Sequence, residues 1–135
     1  MHELTVQSEC AAAHAIVIGG AHEPVHGHNW RVRATVAGDR LDAEGLLCDF
    51  HLIENSLREV LAPLHNRHLN EIAPFDRVNP TAERVAMHIA ERLCQLTAGR
   101  LPAGVRVARV AVTEAPGCEA AYLPGVAPAA PIADR

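Results

Sequence analysis

The chain has 135 residues, 49% of them hydrophobic and 21% charged, and this composition predicts one folded domain. Its formal net charge of −4 at pH 7 excludes a broad basic surface for nucleic acid or for an anionic membrane. No apolar run approaches the roughly 20 residues that span a bilayer, and the first residues lack the pattern of a secretory signal. We therefore expect a cytoplasmic protein.

The first two predicted elements are strands. From Leu4 to His14, apolar or small side chains alternate with polar ones, which is typical of a half-buried strand. After a break at Gly19-Gly20 and Pro24, a second alternating run places Trp30 and Val36 on one face. We expect the two strands to pair in an antiparallel manner.

Two helices are predicted next. Asp49 is placed to cap a helix with apolar residues at helical spacing as far as Leu64. Asn79-Pro80 supplies a cap and a first-turn proline for the second helix, which Gly99 ends.

Two more strands are predicted, over residues 105–114 and 118–123. The order strand, strand, helix, helix, strand, strand predicts an α+β fold, with two helices on one face of a four-stranded antiparallel sheet. Residues 1–123 are expected to form the domain. Residues 124–135, rich in proline and alanine, are expected to form a flexible tail.

Nine histidines are the unusual feature of the composition. His26 and His28 are two residues apart on a predicted strand, so their side chains share one face. His14 has the parity of the apolar face of its own strand, and the short connection brings it near the pair. Three neutral imidazoles suit Zn²⁺ and leave a fourth position open for water or substrate, although a His-x-His pair by itself is common.

The histidines stand within longer motifs. Ala-Ala-His at 12–14, followed by His-Gly-His-Asn-Trp at 26–30, resembles the paired zinc signature of the 6-pyruvoyltetrahydropterin and 6-carboxytetrahydropterin synthase family. The resemblance runs over roughly residues 4 to 123, through the segments 45–50, 69–70, 79–83 and 113–114 and Tyr122.

This resemblance implies the tunnelling fold, a homohexamer made of two stacked trimers, and active sites between subunits. It also implies a zinc-dependent lyase acting on 7,8-dihydroneopterin triphosphate. Glu114 matches the acid that anchors the pterin ring, while Thr81 and Glu83 match polar positions that reach the ligand from a neighbouring subunit. Without the resemblance, each of these could equally be a surface residue at the end of a strand or helix.

The sequence departs from the family pattern at two places. The usual cysteine before His-Gly-His is absent, and Glu23 resembles the glutamate that replaces it in one branch of the family. A carboxylate near a metal can serve as a general base, and His22 is the second candidate. The family's Leu-Asp-His appears as Leu64-His65-Asn66, so the usual aspartate–histidine pair is lost unless His65 or His68 substitutes for it.

The sequence leaves three products open, namely 6-carboxytetrahydropterin, 6-pyruvoyltetrahydropterin and 6-hydroxymethyl-7,8-dihydropterin. The glutamate resemblance favours the last, through carbon–carbon cleavage, whereas the resemblance to the family as a whole favours the 6-carboxy product. A pterin-binding homologue without turnover is the alternative that Asn66 and the missing cysteine suggest. A simple metal-storage or structural zinc domain would explain the histidines but not Glu114 or the motif at 79–83.

Overall fold

The computed structural model describes residues 1–125, which form a twisted sheet with two helices packed on one face. The strands are β1 (His2–His14), β2 (Val17–Ile18), β3 (Ala21–His22), β4 (His26–Gly38), β5 (Arg67–His68), β6 (Arg106–Ala115) and β7 (Cys118–Tyr122). The helices are α1 (Phe50–Leu61) and α2 (Ala82–Thr97), with a 3₁₀ turn at Leu69–Glu71. Among the described residues, no helix is long and apolar enough to cross a membrane.

β1 pairs with β4 in the predicted antiparallel orientation. His2 lies opposite Gly38, and His14 lies opposite His26 at the other end of the ladder. The apolar face of this pair is buried against the helices, with side chains such as Val6, Val32, Ala34 and Val36 at its centre. The alternation in the sequence therefore predicted correctly which side of the sheet the helices cover.

The helix caps confirm one sequence prediction and correct another. Asp49 caps α1, since its side chain accepts a hydrogen bond from the backbone N–H of His51 at 2.9 Å. The prediction that Asn79 and Pro80 cap and start α2 was wrong, because Thr81 is the N-cap and accepts from the N–H of Arg84 at 3.3 Å. The amide of Asn79 is engaged elsewhere, with the backbone of Val17.

The sheet has one strand more than predicted. Its order is β5-β1-β4-β6-β7, and the two-residue β5 pairs in parallel with β1 at Ala12 and Ala13. The loop after β1 forms a separate small hairpin of β2 and β3. A two-residue strand has no detectable periodicity, which is why the sequence pattern could not reveal either element. The predicted tail lies outside the described residues from residue 126 onward.

Candidate metal centre

The structure brings the three predicted ligands together at one end of the sheet. His14 ends β1, and His26 begins β4 directly opposite it, while His28 follows two residues later on the same face. The ring centroids of the three imidazoles lie 4.7 to 5.2 Å apart. The Nε2 atoms of His14 and His26 are 3.1 Å apart. The parity argument from the sequence thus matches the observed juxtaposition.

Backbone carbonyls orient two of these rings. Nδ1 of His14 lies 2.9 Å from the carbonyl oxygen of Pro80, and Nδ1 of His26 lies 2.9 Å from that of Pro24. Because a carbonyl oxygen only accepts, each Nδ1 must carry the proton and donate. In the neutral imidazole, the Nε2 atoms of both rings then direct their lone pairs towards the centre of the cluster. Metal-binding histidines are commonly oriented in this way, by a hydrogen bond from the other ring nitrogen to a carbonyl or carboxylate.

Glu114 on β6 is the fourth member of the cluster. Its Oε1 lies 3.1 Å from Nε2 of His14 and 2.8 Å from Nε2 of His28. One ligand atom from each of His14, His26, His28 and Glu114 lies within 4.8 Å of all the others. Converging lone pairs and a carboxylate repel one another unless a cation or protons lie between them, so this donor set fits a divalent metal ion.

The surroundings of His28 also suit a neutral ligand. Burial lowers the pKa of His28 below its ordinary value, and the neighbouring His14 and His26 lower it further, although Glu114 opposes them. Nε2 of His28 is buried and forms no hydrogen bond of acceptable geometry, despite its closeness to Glu114. An orphaned nitrogen that points into a cluster of ligand atoms is what a metal site requires.

Trp30 forms the floor of the cluster. Its ring packs edge-on against His14 at 5.0 Å and against His28 at 5.6 Å, and it is only 2% exposed. Its indole N–H donates to the carbonyl of Ala12 at 3.2 Å. A buried aromatic ring in this position limits the rotation of the two histidine rings and keeps water away from the side of the cluster that it covers.

Two asparagines hold the chain that follows His14. The side-chain amide of Asn70 accepts from the N–H of Ala15 and donates to its carbonyl, both at 2.8 Å. Asn79 pairs in the same way with Val17, at 2.9 and 2.8 Å. These paired contacts fix the start of the loop that leads towards Glu23, a role that sequence reasoning did not find.

Glu23 lies beside the cluster. Its Oε2 is 4.0 Å from Nε2 of His26, and its side chain is 37% exposed. Its backbone N–H donates to the carbonyl of Ile16 at 2.9 Å, which holds the loop in place. His22, the second candidate base, is exposed in the hairpin opposite Val17.

His65 contacts the backbone of strand β1 and not the histidine cluster. Nδ1 of His65 accepts from the N–H of Ala11 at 3.1 Å, and the N–H of Asn66 donates to the carbonyl of Ala11 at 2.6 Å. His65 is therefore bonded to the backbone of β1 and is not among the four residues whose ligand atoms converge.

The remaining sequence candidates lie at the start of α2. Thr81 uses its hydroxyl as the helix cap, and Glu83 is exposed in the first helical turn. Both follow Pro80, whose carbonyl holds His14. Their predicted contact with a ligand in a neighbouring subunit stays a prediction.

A cleft of about 520 Å³ opens beside the cluster. His28 and Glu114 line it, together with Gly27, Asn29, Arg31, Thr113, Ala115 and Pro116. Its volume falls within the range of small-molecule sites, so the candidate metal site lies at the edge of a space large enough for a substrate.

The chain is similar in sequence to a known protein family and to a relative with a named activity. Residues 3–124 match the family described as 6-pyruvoyl tetrahydropterin synthase. A dihydroneopterin monophosphate aldolase of Pyrococcus furiosus is 32% identical over 103 residues, which cover 76% of this chain and 81% of that protein.

Solved structures agree on the fold. The 6-pyruvoyl tetrahydropterin synthase of Caenorhabditis elegans superposes with a TM-score of 0.76 at 20% identity, covering 93% of this chain and 98% of that one. A Plasmodium vivax 6-pyruvoyltetrahydropterin synthase, in which a catalytic glutamate was replaced by alanine, gives 0.75 at 19% identity with the same coverage. The sheet and helices described above are therefore those of this fold.

Proposed function

The chain belongs to the 6-pyruvoyl tetrahydropterin synthase family, and we propose that it is a zinc-dependent lyase that cleaves the side chain of 7,8-dihydroneopterin triphosphate or a related phosphate ester. The proposed product is 6-hydroxymethyl-7,8-dihydropterin. The carboxylate of Glu23, 4.0 Å from Nε2 of His26, is the observation that carries this proposal. It supplies a base beside a site for three histidine ligands.

Two of the four cysteines, Cys10 and Cys48, are buried and do not offer a competing base. Cys10 is buried on the core face of β1, and burial raises the pKa of its thiol to about 11. Cys48 is also buried, and burial raises the pKa of its thiol as well. A thiol whose pKa is raised holds its proton at neutral pH and is a poor base. This favours the carboxylate as the group that accepts a proton.

Zn²⁺ held by His14, His26 and His28 would acidify the hydroxyl groups of the substrate side chain that it contacts. Glu23 then removes the proton from the 2′-hydroxyl group. The C1′–C2′ bond breaks, C2′ becomes the aldehyde carbon of the departing two-carbon phosphate ester, and the electron pair passes into the C6–N5 imine of the ring. Returning the proton from Glu23 to C1′ gives the hydroxymethyl product, so no oxidant or reductant is needed.

One relative supports the choice of carbon–carbon cleavage, because the Pyrococcus furiosus protein is named as an aldolase that acts on dihydroneopterin monophosphate. A second supports a carboxylate in the reaction, because the Plasmodium vivax synthase is described as having a catalytic glutamate.

Product analysis tests the proposal. The zinc-loaded protein is incubated separately with dihydroneopterin triphosphate, dihydroneopterin monophosphate and unphosphorylated dihydroneopterin, and the pterins are identified by mass spectrometry. We expect 6-hydroxymethyl-7,8-dihydropterin together with a two-carbon aldehyde. A 6-carboxy or 6-pyruvoyl product would show that the family fold is used for another cleavage and would overturn this proposal.

The second candidate is a homologue that binds pterin without turnover. Asn66 favours it, because this position has a left-handed backbone with φ of 59°, which asparagine adopts more readily than most residues. Its N–H is also used to hold β1. Asn66 thus fits a purely structural role at the site where the family pattern has a histidine. Pterin binding without product from any of the three substrates would support this alternative.

We further propose a homohexamer of two stacked trimers. The outer strand β7 leaves one edge of the sheet available for pairing, and the two-residue β5 covers little of the other. In such an assembly His65, which is bonded to Ala11 and is not part of its own subunit's cluster, would act on the cluster of a neighbouring subunit. Sedimentation velocity at micromolar concentration is expected to show a hexamer, and a stable monomer would contradict this proposal.

A further inference from the structure

The cleft beside the histidine cluster lies where strands β4 and β6 separate. Their ladder ends at the pair of Arg31 and Thr113. Residues 27–29 of β4 and residues 114–116, which lie past this pair, line the cleft and are not paired with each other. The space of about 520 Å³ is therefore a gap between two strands, and side chains from both faces of the sheet can reach it.

Arg31 stands on the face of the sheet that the helices leave open. Side chains alternate along a strand, and Trp30 and Val32, the neighbours of Arg31, are buried in the core under the helices. The side chain of Arg31 is 55% exposed and lines the cleft. His28 and Glu114 line the same cleft and belong to the histidine cluster. One cleft therefore joins a group of metal donors to a guanidinium on the opposite face.

The positive charge of Arg31 is only weakly paired. Its Nε lies 4.0 Å from Oε1 of Glu9, which is opposite it on β1, and both side chains are more than half exposed. An ion pair of this kind contributes little, since water screens it and ordering two long side chains costs entropy. Arg109 on β6 differs, because its Nη2 lies 2.7 Å from Oε1 of Glu119. Arg31 can therefore exchange its contact with Glu9 for a stronger one with an anionic ligand.

We propose that Arg31 recognises the phosphate ester of a pterin ligand, while the hydroxyl groups of the ligand's side chain lie at the histidine end of the cleft. This inference rests on the substrate class of the proposed function but not on its reaction. The planar guanidinium presents paired N–H donors that match the oxygens of a phosphate. The carboxylate of Glu114 also lines the cleft and repels a phosphate. The two charges therefore set which way round the ligand lies.

Equilibrium binding of two fluorescent pterins tests the proposal. Neopterin and its 3′-monophosphate are titrated against the zinc-loaded protein, and the ratio of their dissociation constants measures the preference for the phosphate. We expect the parent to bind the phosphate ester more tightly and R31Q to lose about 10-fold or more of this preference, the effect of removing a hydrogen bond to a charged group. R31K should keep part of it, because lysine retains the charge but not the paired donors.

R33Q is the matched control. Arg33 has the same charge, lies two residues further along β4 on the same face and is exposed, but it does not line the cleft. Its replacement is expected to leave the preference unchanged. A parent that binds both pterins equally, an unchanged preference in R31Q, or an equal loss in R31Q and R33Q would each overturn the proposal. Because binding is measured and not turnover, absence of a pterin product would count against the proposed function alone.

Discussion

Replacing His28 with alanine is expected to lower zinc affinity by more than about 100-fold and to abolish turnover. His28 contributes an Nε2 atom that is buried, without a hydrogen bond, and directed at the ligand cluster. Losing a direct ligand should exceed the about 10- to 100-fold effect of losing an outer-sphere partner. Metal content after gel filtration, with chelator competition for the affinity, provides the measurement.

His28 is the best of the three positions for this experiment. His14 is fully buried and bonded to Pro80, so its removal would also disturb the fold. His2→Ala is the control, because His2 is exposed at the opposite end of β1. Full zinc stoichiometry and unchanged affinity in His28→Ala would show that the ligand set is wrong.

Replacing Glu23 with glutamine is expected to slow turnover by about 10²- to 10⁴-fold, the usual contribution of a positioned general base. Glutamine keeps the shape of the side chain and much of its hydrogen bonding but has no carboxylate to accept the proton. Because Glu23 is outside the proposed ligand set, zinc content should stay near stoichiometric. Steady-state rates on the substrate identified by product analysis, together with metal content, make the measurement.

Glu44→Gln is the matched control for this variant, since Glu44 is an exposed loop acid whose carboxylate should contribute nothing to the rate. A second variant, His22→Ala, separates the two candidate bases. If Glu23→Gln keeps zinc, binds pterin and turns over at the parental rate, then Glu23 is not the base. A large loss in His22→Ala would in that case assign the role to His22.

The sequence determined the main elements and the three histidines of the centre. Alternation along β1 and β4 is a local property of the chain, because side chains of a strand alternate between its two faces. It was therefore enough to place His26 and His28 on one face and to put His14 on the apolar face of its strand. The cap at Asp49 was also local, since its partner His51 is two residues away.

The register and the outer contacts were decided by the tertiary structure. The alternation of side chains along a strand does not tell which residue of β4 lies opposite His14. Only the pairing of β1 with β4 over their whole length places His26 there. Glu114 shares the parity of Val110 and Val112, yet its contact with His28 depends on how β6 sits against β4. The sequence could identify the residue but not its distance from the histidines.

The groups that orient the cluster had no signal in the sequence. The carbonyls of Pro24 and Pro80 hold two of the rings, and every residue type carries such a carbonyl. Asn79 resembled a helix cap locally, but its amide meets the peptide of Val17, 62 residues away in the chain. Residue type and spacing report which side chains a strand presents to one face. Long-range packing decides which backbone groups meet them, and that information exists only in the folded chain.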